Sequence, residues 1–99
     1  LPGVSSTSDI LLAREFGYTQ QKLFPAALSG GSAFLSAVSS IFSDVIFCPT
    51  GGVNAENKSQ YLALNNVFAV GGTWVCKNDW IEKEQWSKIT EACKLANLR

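Results

Sequence analysis

The sequence predicts an α/β fold made of repeated strand-plus-helix units lying in a parallel sheet. Three observations predict it. Val45-Ile46-Phe47-Cys48 and Val67-Phe68-Ala69-Val70 are short, wholly apolar runs, as expected of strands covered on both faces. Phe34, Leu35, Val38, Ile41 and Phe42 recur at the spacing that lines one side of a helix. The alternation of strand and helix repeats four times, at intervals of about 22 to 26 residues, which favours crossover helices between parallel strands.

The units follow in order. Leu1-Pro2-Gly3-Val4 reads as the end of a strand. Ser6-Thr7-Ser8-Asp9 is a capping box, Ile10, Leu11 and Leu12 give the helix after it an apolar side, and Gly17 is placed to end it. Tyr18 to Phe24 is the next extended run, and Pro25 stops it because proline donates nothing to a ladder. Ser29-Gly30-Gly31-Ser32 leads into the helix of Phe34 to Phe42. After the strand at Val45 to Cys48, Pro49-Thr50-Gly51-Gly52 breaks the chain and Asn54 caps a helix over 55–64. Val67 to Val70 supplies the fourth strand, ended by Gly71-Gly72-Thr73. A turn of helix near Trp80 and Ile81 precedes a helix from about 85 to 98, with Trp86, Ile89 and Cys93 facing inward.

Ninety-nine residues with 46% apolar content build one core and one domain. An open doubly wound sheet of four strands satisfies the pattern, and so does half of an eightfold barrel. Eight basic and eight acidic side chains cancel, with no basic stripe, so nucleic acid is not expected as a partner. The apolar runs are too short to span a bilayer, so no membrane partner is expected either. Three widely separated cysteines without any histidine indicate neither a disulfide framework nor a zinc site, and fit a reducing, cytoplasmic setting. The absence of methionine and the strand-like opening residues suggest a piece of a longer chain. Without histidine, lysine, carboxylates and hydroxyls are left to carry any chemistry.

Lys22 is the first candidate for that chemistry. It lies inside the extended run Gln20-Gln21-Lys22-Leu23-Phe24-Pro25, and sheet interiors exclude an unpaired ammonium because its desolvation is costly. The competing reading is an edge strand whose lysine points to solvent. Gly51-Gly52 and Gly71-Gly72 follow two successive strands, each beside a threonine, Thr50 and Thr73. Glycine lets main-chain amides approach an anion, so the two loops form a candidate phosphate cradle, with glycine-pair turns as the alternative. Trp74, Trp80 and Trp86 read as packing anchors. Lys83, Lys88 and Lys94, with Glu82, Glu84 and Glu91, read as a solvated helical face, and Cys48 as a small core residue.

Lys22-Leu23-Phe24-Pro25-Ala26, Phe47-Cys48-Pro49-Thr50-Gly51-Gly52-Val53 and Val70-Gly71-Gly72-Thr73-Trp74 resemble, in order and spacing, the C-terminal half of the 2-keto-3-deoxy-6-phosphogluconate (KDPG) and 2-keto-4-hydroxyglutarate aldolases. The resemblance implies strands five to eight of a (β/α)8 TIM barrel, residues 1–99 forming a (β/α)4 half-barrel that lacks the N-terminal half. It implies a class I aldolase, usually a cytoplasmic homotrimer, with no cofactor and no metal, acting on a small keto-acid phosphate. Lys22 would form the Schiff base, Phe24 would pack beside the pyruvyl group, and Thr50 would lie near the aldehyde-derived carbons. Gly51, Gly52 and Thr73 would take the phosphate, with Gly72 in the same cradle.

The family's general-base glutamate and carboxylate-binding residues belong to its first half. A complementary half-barrel, or self-association, is therefore expected as the partner. Ala27 also stands where many members carry an acidic residue. The alternative function is a non-catalytic phosphate-binding half-barrel module. An open regulatory domain of flavodoxin type would instead need acidic strand ends, where this sequence has glycine and threonine.

Overall fold

The computed structural model describes residues 1–98. Three strands, β1 (Gly3–Val4), β2 (Gln20–Leu23) and β3 (Ile46–Pro49), form a sheet in the order β1-β2-β3, and both pairs are parallel. The helices are α1 (Thr7–Glu15), α2 (Gly31–Val38), α3 (Lys58–Leu62), α4 (Asn78–Glu82) and α5 (Trp86–Ala96).

In-register neighbours of a parallel pair share a face, and successive residues alternate between faces. Val4 pairs with Leu23, Leu23 with Pro49 and Gln21 with Phe47, and all five are buried. Gly3 pairs with Lys22, Lys22 with Cys48 and Gln20 with Ile46; these are exposed or half-buried. One side of the sheet is therefore packed against helices and the other is open. The covered side holds Phe47, Leu23, Ile10 and Leu35, which water does not reach. Each such side chain contributes roughly 1.5–3 kcal/mol through burial.

The α1 boundaries follow their local chemistry. The Ser6 hydroxyl accepts from the Asp9 amide at 3.2 Å, while the Asp9 carboxylate accepts from the amide and hydroxyl of Ser5 at 3.0 and 3.2 Å. The carboxylate thus reaches one residue beyond the cap, and these hydrogen bonds hold its pKa below the usual carboxyl value, those from Ser5 first. At the other end Gly17 adopts φ +88°, its amide bonds Arg14 O, and the Tyr18 amide bonds Ala13 O. That pair of bonds is the Schellman termination for which glycine suits the left-handed position.

Four expectations change. Val67 to Val70 runs parallel to β3 but is no regular strand. Phe47 bridges Val67 and Thr50 bridges Gly71, so three steps along one chain face four along the other. The extra residue breaks the ladder as a bulge does, although Phe68 N–H still reaches Phe47 O at 3.1 Å and Gly71 N–H reaches Pro49 O at 3.0 Å. The helix through Phe34 stops at Val38, leaving Ile41 exposed while Phe42 turns back into the core. Regular helix in the third unit begins at Lys58; Asn54 caps the turn before it, its Oδ1 accepting from the amides of Glu56 and Asn57. In α1 only Ile10 is buried, and in α5 Trp86 and Cys93 are exposed, because few neighbours cover those faces.

Lys58 drew no attention in the sequence, yet it is only 8% exposed. Its ammonium donates to the carbonyls of Leu95 (3.2 Å), Ala96 (2.8 Å) and Leu98 around the last turn of α5. A cation there satisfies orphan carbonyls and complements the negative end of the helix. Lys58→Met keeps the aliphatic stem and removes the charge. It is expected to destabilise the fold by about 2 kcal/mol, read from a urea denaturation curve.

Candidate active site

Lys22 is set by β2. Its amide donates to Pro2 O at 2.8 Å, and the Phe24 amide donates to Val4 O at 3.0 Å, so the ladder to β1 fixes the strand on that side. Gln21, one residue earlier, is fully buried on the helix-covered side. Its Nε2 donates to Tyr18 O at 2.8 Å and Ile10 O at 3.3 Å, tying α1 and the turn that follows it to the strand. Alternation then sends Lys22 to the open side, in register with Cys48. Both expectations for this lysine are thereby refined: it lies on an interior strand, flanked by β1 and β3, but on an uncovered face.

The Lys22 ammonium lies 4.9 Å from the centroid of the Phe24 ring, a cation–π contact. Among the described residues the ion pairs are Arg14–Asp44 at 3.2 Å and Lys94–Glu91 at 3.8 Å, both at exposed positions. Neither involves Lys22. Phe24 is 51% exposed, and the Phe24–Pro25 peptide is cis.

The chain after β2 and the chain after β3 are joined main chain to main chain. Thr50 N–H donates to Leu23 O at 2.9 Å, Ala26 N–H to Thr50 O at 2.8 Å and Ala27 N–H to Gly51 O at 3.1 Å. This approach explains the first glycine pair. Gly51 and Gly52 have φ of +98° and +76°, and a Cβ added to them would stand 3.0 Å from Pro25 Cα and 2.6 Å from Ala27 Cβ respectively. Ala27 lies against Gly52.

The second pair is needed for a different reason. A Cβ on Gly71 would meet Thr50 Oγ1 at 2.7 Å, and one on Gly72 would overlap the Trp74 ring. The structure thus brings Thr50 and Gly51 into the loops beside β2, and Gly71 against Thr50. Thr73 is exposed and makes no side-chain hydrogen bond among the described residues.

Two cavities, of about 500 and 440 Å³, lie away from Lys22. The first runs along Phe68 to Gly72 and the inner side of α5; the second lies between Trp74, Trp80 and α5. Trp74 packs on the core, Trp80 is half-buried beneath the Lys77 ammonium at 5.2 Å, and Trp86 is exposed, so the three tryptophans differ in role. Cys48 is half-buried on the open side rather than enclosed in the core. No group of three or more potential metal ligands occurs among the described residues, and no helix there is long and apolar enough to cross a membrane.

Sequential parallel strands with helices on one side and a lysine on the other, with glycine-rich loops at the strand ends, define a class of parallel α/β protein. Comparison with known proteins makes the class specific. A family model described as KDPG and KHG aldolase matches residues 1–92, and the chain belongs to that family. It is 44% identical over 97% of its length to a 2-dehydro-3-deoxy-phosphogluconate aldolase of Pseudoalteromonas atlantica. It is 49% identical over 90% of its length to the enzyme of that name in Pseudomonas aeruginosa.

The match covers 45% and 40% of those two proteins, so the chain spans about half the length of the curated relatives it matches. Among solved structures, a KDPG aldolase from Legionella pneumophila, with pyruvate captured as a covalent carbinolamine intermediate, superposes with a TM-score of 0.95. It shares 45% identity, over 97% of this chain and 47% of that one. A Zymomonas mobilis KDPG aldolase with 3-phosphoglycerate gives 0.87 at 34% identity, over 100% of this chain and 46% of that one.

Proposed function

We propose that these residues are the lysine-bearing half of a class I aldolase that cleaves 2-keto-3-deoxy-6-phosphogluconate to pyruvate and glyceraldehyde 3-phosphate. Catalysis requires a complementary half-barrel. The observation that carries this reading is the position of Lys22: an amine on the open side of an interior parallel strand, 4.9 Å from the Phe24 ring centroid and in no ion pair among the described residues. Residues 1–99 are then a single domain, a (β/α)4 half-barrel. Strand order equal to chain order supports this, since a doubly wound sheet reverses its order at a switch point. The open side is the future barrel interior, and the carbinolamine and 3-phosphoglycerate of the two relatives agree with an amine and a phosphate site there.

Each residue then has a chemical role. Nζ of neutral Lys22 attacks C2 of the keto acid, and loss of water from the carbinolamine leaves an iminium. When the C3–C4 bond breaks, its electron pair flows to that iminium, giving an enamine, while the C4 hydroxyl loses its proton and becomes the aldehyde of glyceraldehyde 3-phosphate. Protonation of the enamine at C3 and hydrolysis release pyruvate and the amine. Phe24 flanks the pyruvyl end and Thr50 the aldehyde-derived carbons. Gly51, Gly52, Gly72 and Thr73 hold the phosphate, fixing the reacting bond over Lys22.

Lys22 has no carboxylate partner among the described residues. The complementary half supplies the base that moves the C4 proton, and its walls desolvate the amine. Oligomerisation, as a trimer on the family resemblance, and a cytoplasmic setting belong to the same reading. The missing carboxylate is also the observation that favours the second reading, a phosphate-binding half-barrel without turnover.

Pyruvate release from 2-keto-3-deoxy-6-phosphogluconate separates the two. The chain alone is expected to release none, and the chain joined to the first half of a relative to release it continuously. A completed barrel that stays silent while binding the sugar phosphate overturns the aldolase reading.

A further inference from the structure

We propose that Asn57 is a positioning residue for the phosphate-binding amides of the β3–α3 loop. The inference rests on the reading of that loop as a phosphate cradle and adds to it the device that orients the cradle.

Three successive carbonyls of the loop are tethered. Thr50 O accepts from the Ala26 amide at 2.8 Å, Gly51 O from the Ala27 amide at 3.1 Å, and Gly52 O from Nδ2 of Asn57 at 2.8 Å. In a trans peptide the N–H points opposite to the C=O. Each tether therefore turns the following amide, of Gly51, Gly52 and Val53, away from the group that holds the carbonyl. None of these three amides donates a hydrogen bond among the described residues. Left-handed φ at Gly51 and Gly52 lets two adjacent peptides take this orientation without a side chain in the way. A run of unpartnered main-chain donors of this kind recognises a phosphate dianion.

Two of the tethers are main chain to main chain, so the fold itself fixes them. The third depends on one side chain. Asn57 is itself held in place, because its Oδ1 accepts from the Asn54 amide at 2.8 Å, which leaves Nδ2 facing Gly52 O. Its own amide donates to Asn54 Oδ1 at 2.9 Å. Without Nδ2, the Gly52–Val53 peptide is free to rotate and the Val53 donor is lost from the array.

The test compares Asn57→Ala with Asn54→Ala. The second loosens the same turn by removing the acceptor for the Glu56 and Asn57 amides, yet leaves the Gly52 tether in place. Inorganic phosphate is titrated into the ¹⁵N-labelled chain and the amide resonances are followed, with dispersion of the core resonances reporting the fold. In the unaltered chain the Gly51, Gly52 and Val53 resonances are expected to shift together. Asn57→Ala is expected to weaken phosphate binding about 10-fold and to remove the Val53 response, the effect of losing one well-placed donor. Asn54→Ala is expected to lower stability while leaving phosphate affinity within about twofold.

Unchanged affinity in Asn57→Ala, or an equal loss in both variants, overturns the positioning role and leaves the cradle standing. Absence of any phosphate-induced shift at 51–53 in the unaltered chain overturns the cradle and the inference together.

Discussion

Replacing Lys22 with methionine should abolish covalent capture of pyruvate. With borohydride present, the unaltered chain joined to its complementary half is expected to gain one reduced pyruvyl group on Lys22, detected by intact mass and peptide mapping. The methionine variant is expected to gain none. In a completed barrel the same change should lower cleavage by at least about 10³-fold, since removing a nucleophile leaves only the residual effect of binding. The fold should tolerate it, because Lys22 lies on the open side and methionine retains the aliphatic stem. Undiminished pyruvate labelling of the variant, on any other lysine, would remove Lys22 from the chemistry.

A large stability effect of a single methyl group is expected at Gly52. Gly52→Ala places a side chain at φ +76° with its Cβ 2.6 Å from that of Ala27. The left-handed conformation costs about 1–2 kcal/mol, and the overlap a further 1–3 kcal/mol as the two loops are forced apart. With roughly 5–15 kcal/mol holding a domain together, this is a large fraction of the total. A fall in melting temperature of about 10–20 °C follows for a chain of this size. Gly3→Ala is the control: no atom lies within 4 Å of the added Cβ, and the melting temperature is expected to stay within about 2 °C. Equal melting temperatures for the two variants would show that the loops do not meet as closely as the structure has them.

The local parts of the fold were legible because their causes are local. Ser6, Asp9 and Gly17 mark both ends of α1, and Asn54 caps the turn before α3, since each acts on amides or carbonyls a few residues away. The extended run at β3 was legible from its apolar content, and the one at β2 from the proline that closes it. Where the reading failed, the cause was distant. The ladder between Val67 and Gly71 is broken by one extra residue relative to β3, and nothing in Val67-Phe68-Ala69-Val70 announces it. Ile41 fits the helical period, yet the chain turns at Val38 to deliver Phe42 to the core. Trp86 and Cys93 have inward spacing, but the described residues place too little against α5 to cover them.

For the site, residue types and order were enough to single out Lys22, the two glycine pairs and the family to which they belong. The sequence by itself determined that a lysine sits in a strand and that two extended segments run into glycine pairs. These follow from composition and from periods of two and 3.6 residues, which any chain carries in its own order. Only the tertiary structure decided which face Lys22 takes, because that depends on Gln21 being drawn to the carbonyls of Ile10 and Tyr18 on the other side. It alone decided why the first glycines must be glycines, since Pro25 and Ala27 are more than twenty residues away along the chain. Lys58 and Asn57 were invisible for the same reason: a polar side chain on or beside a short helix looks solvated until the carbonyl it binds is brought to it.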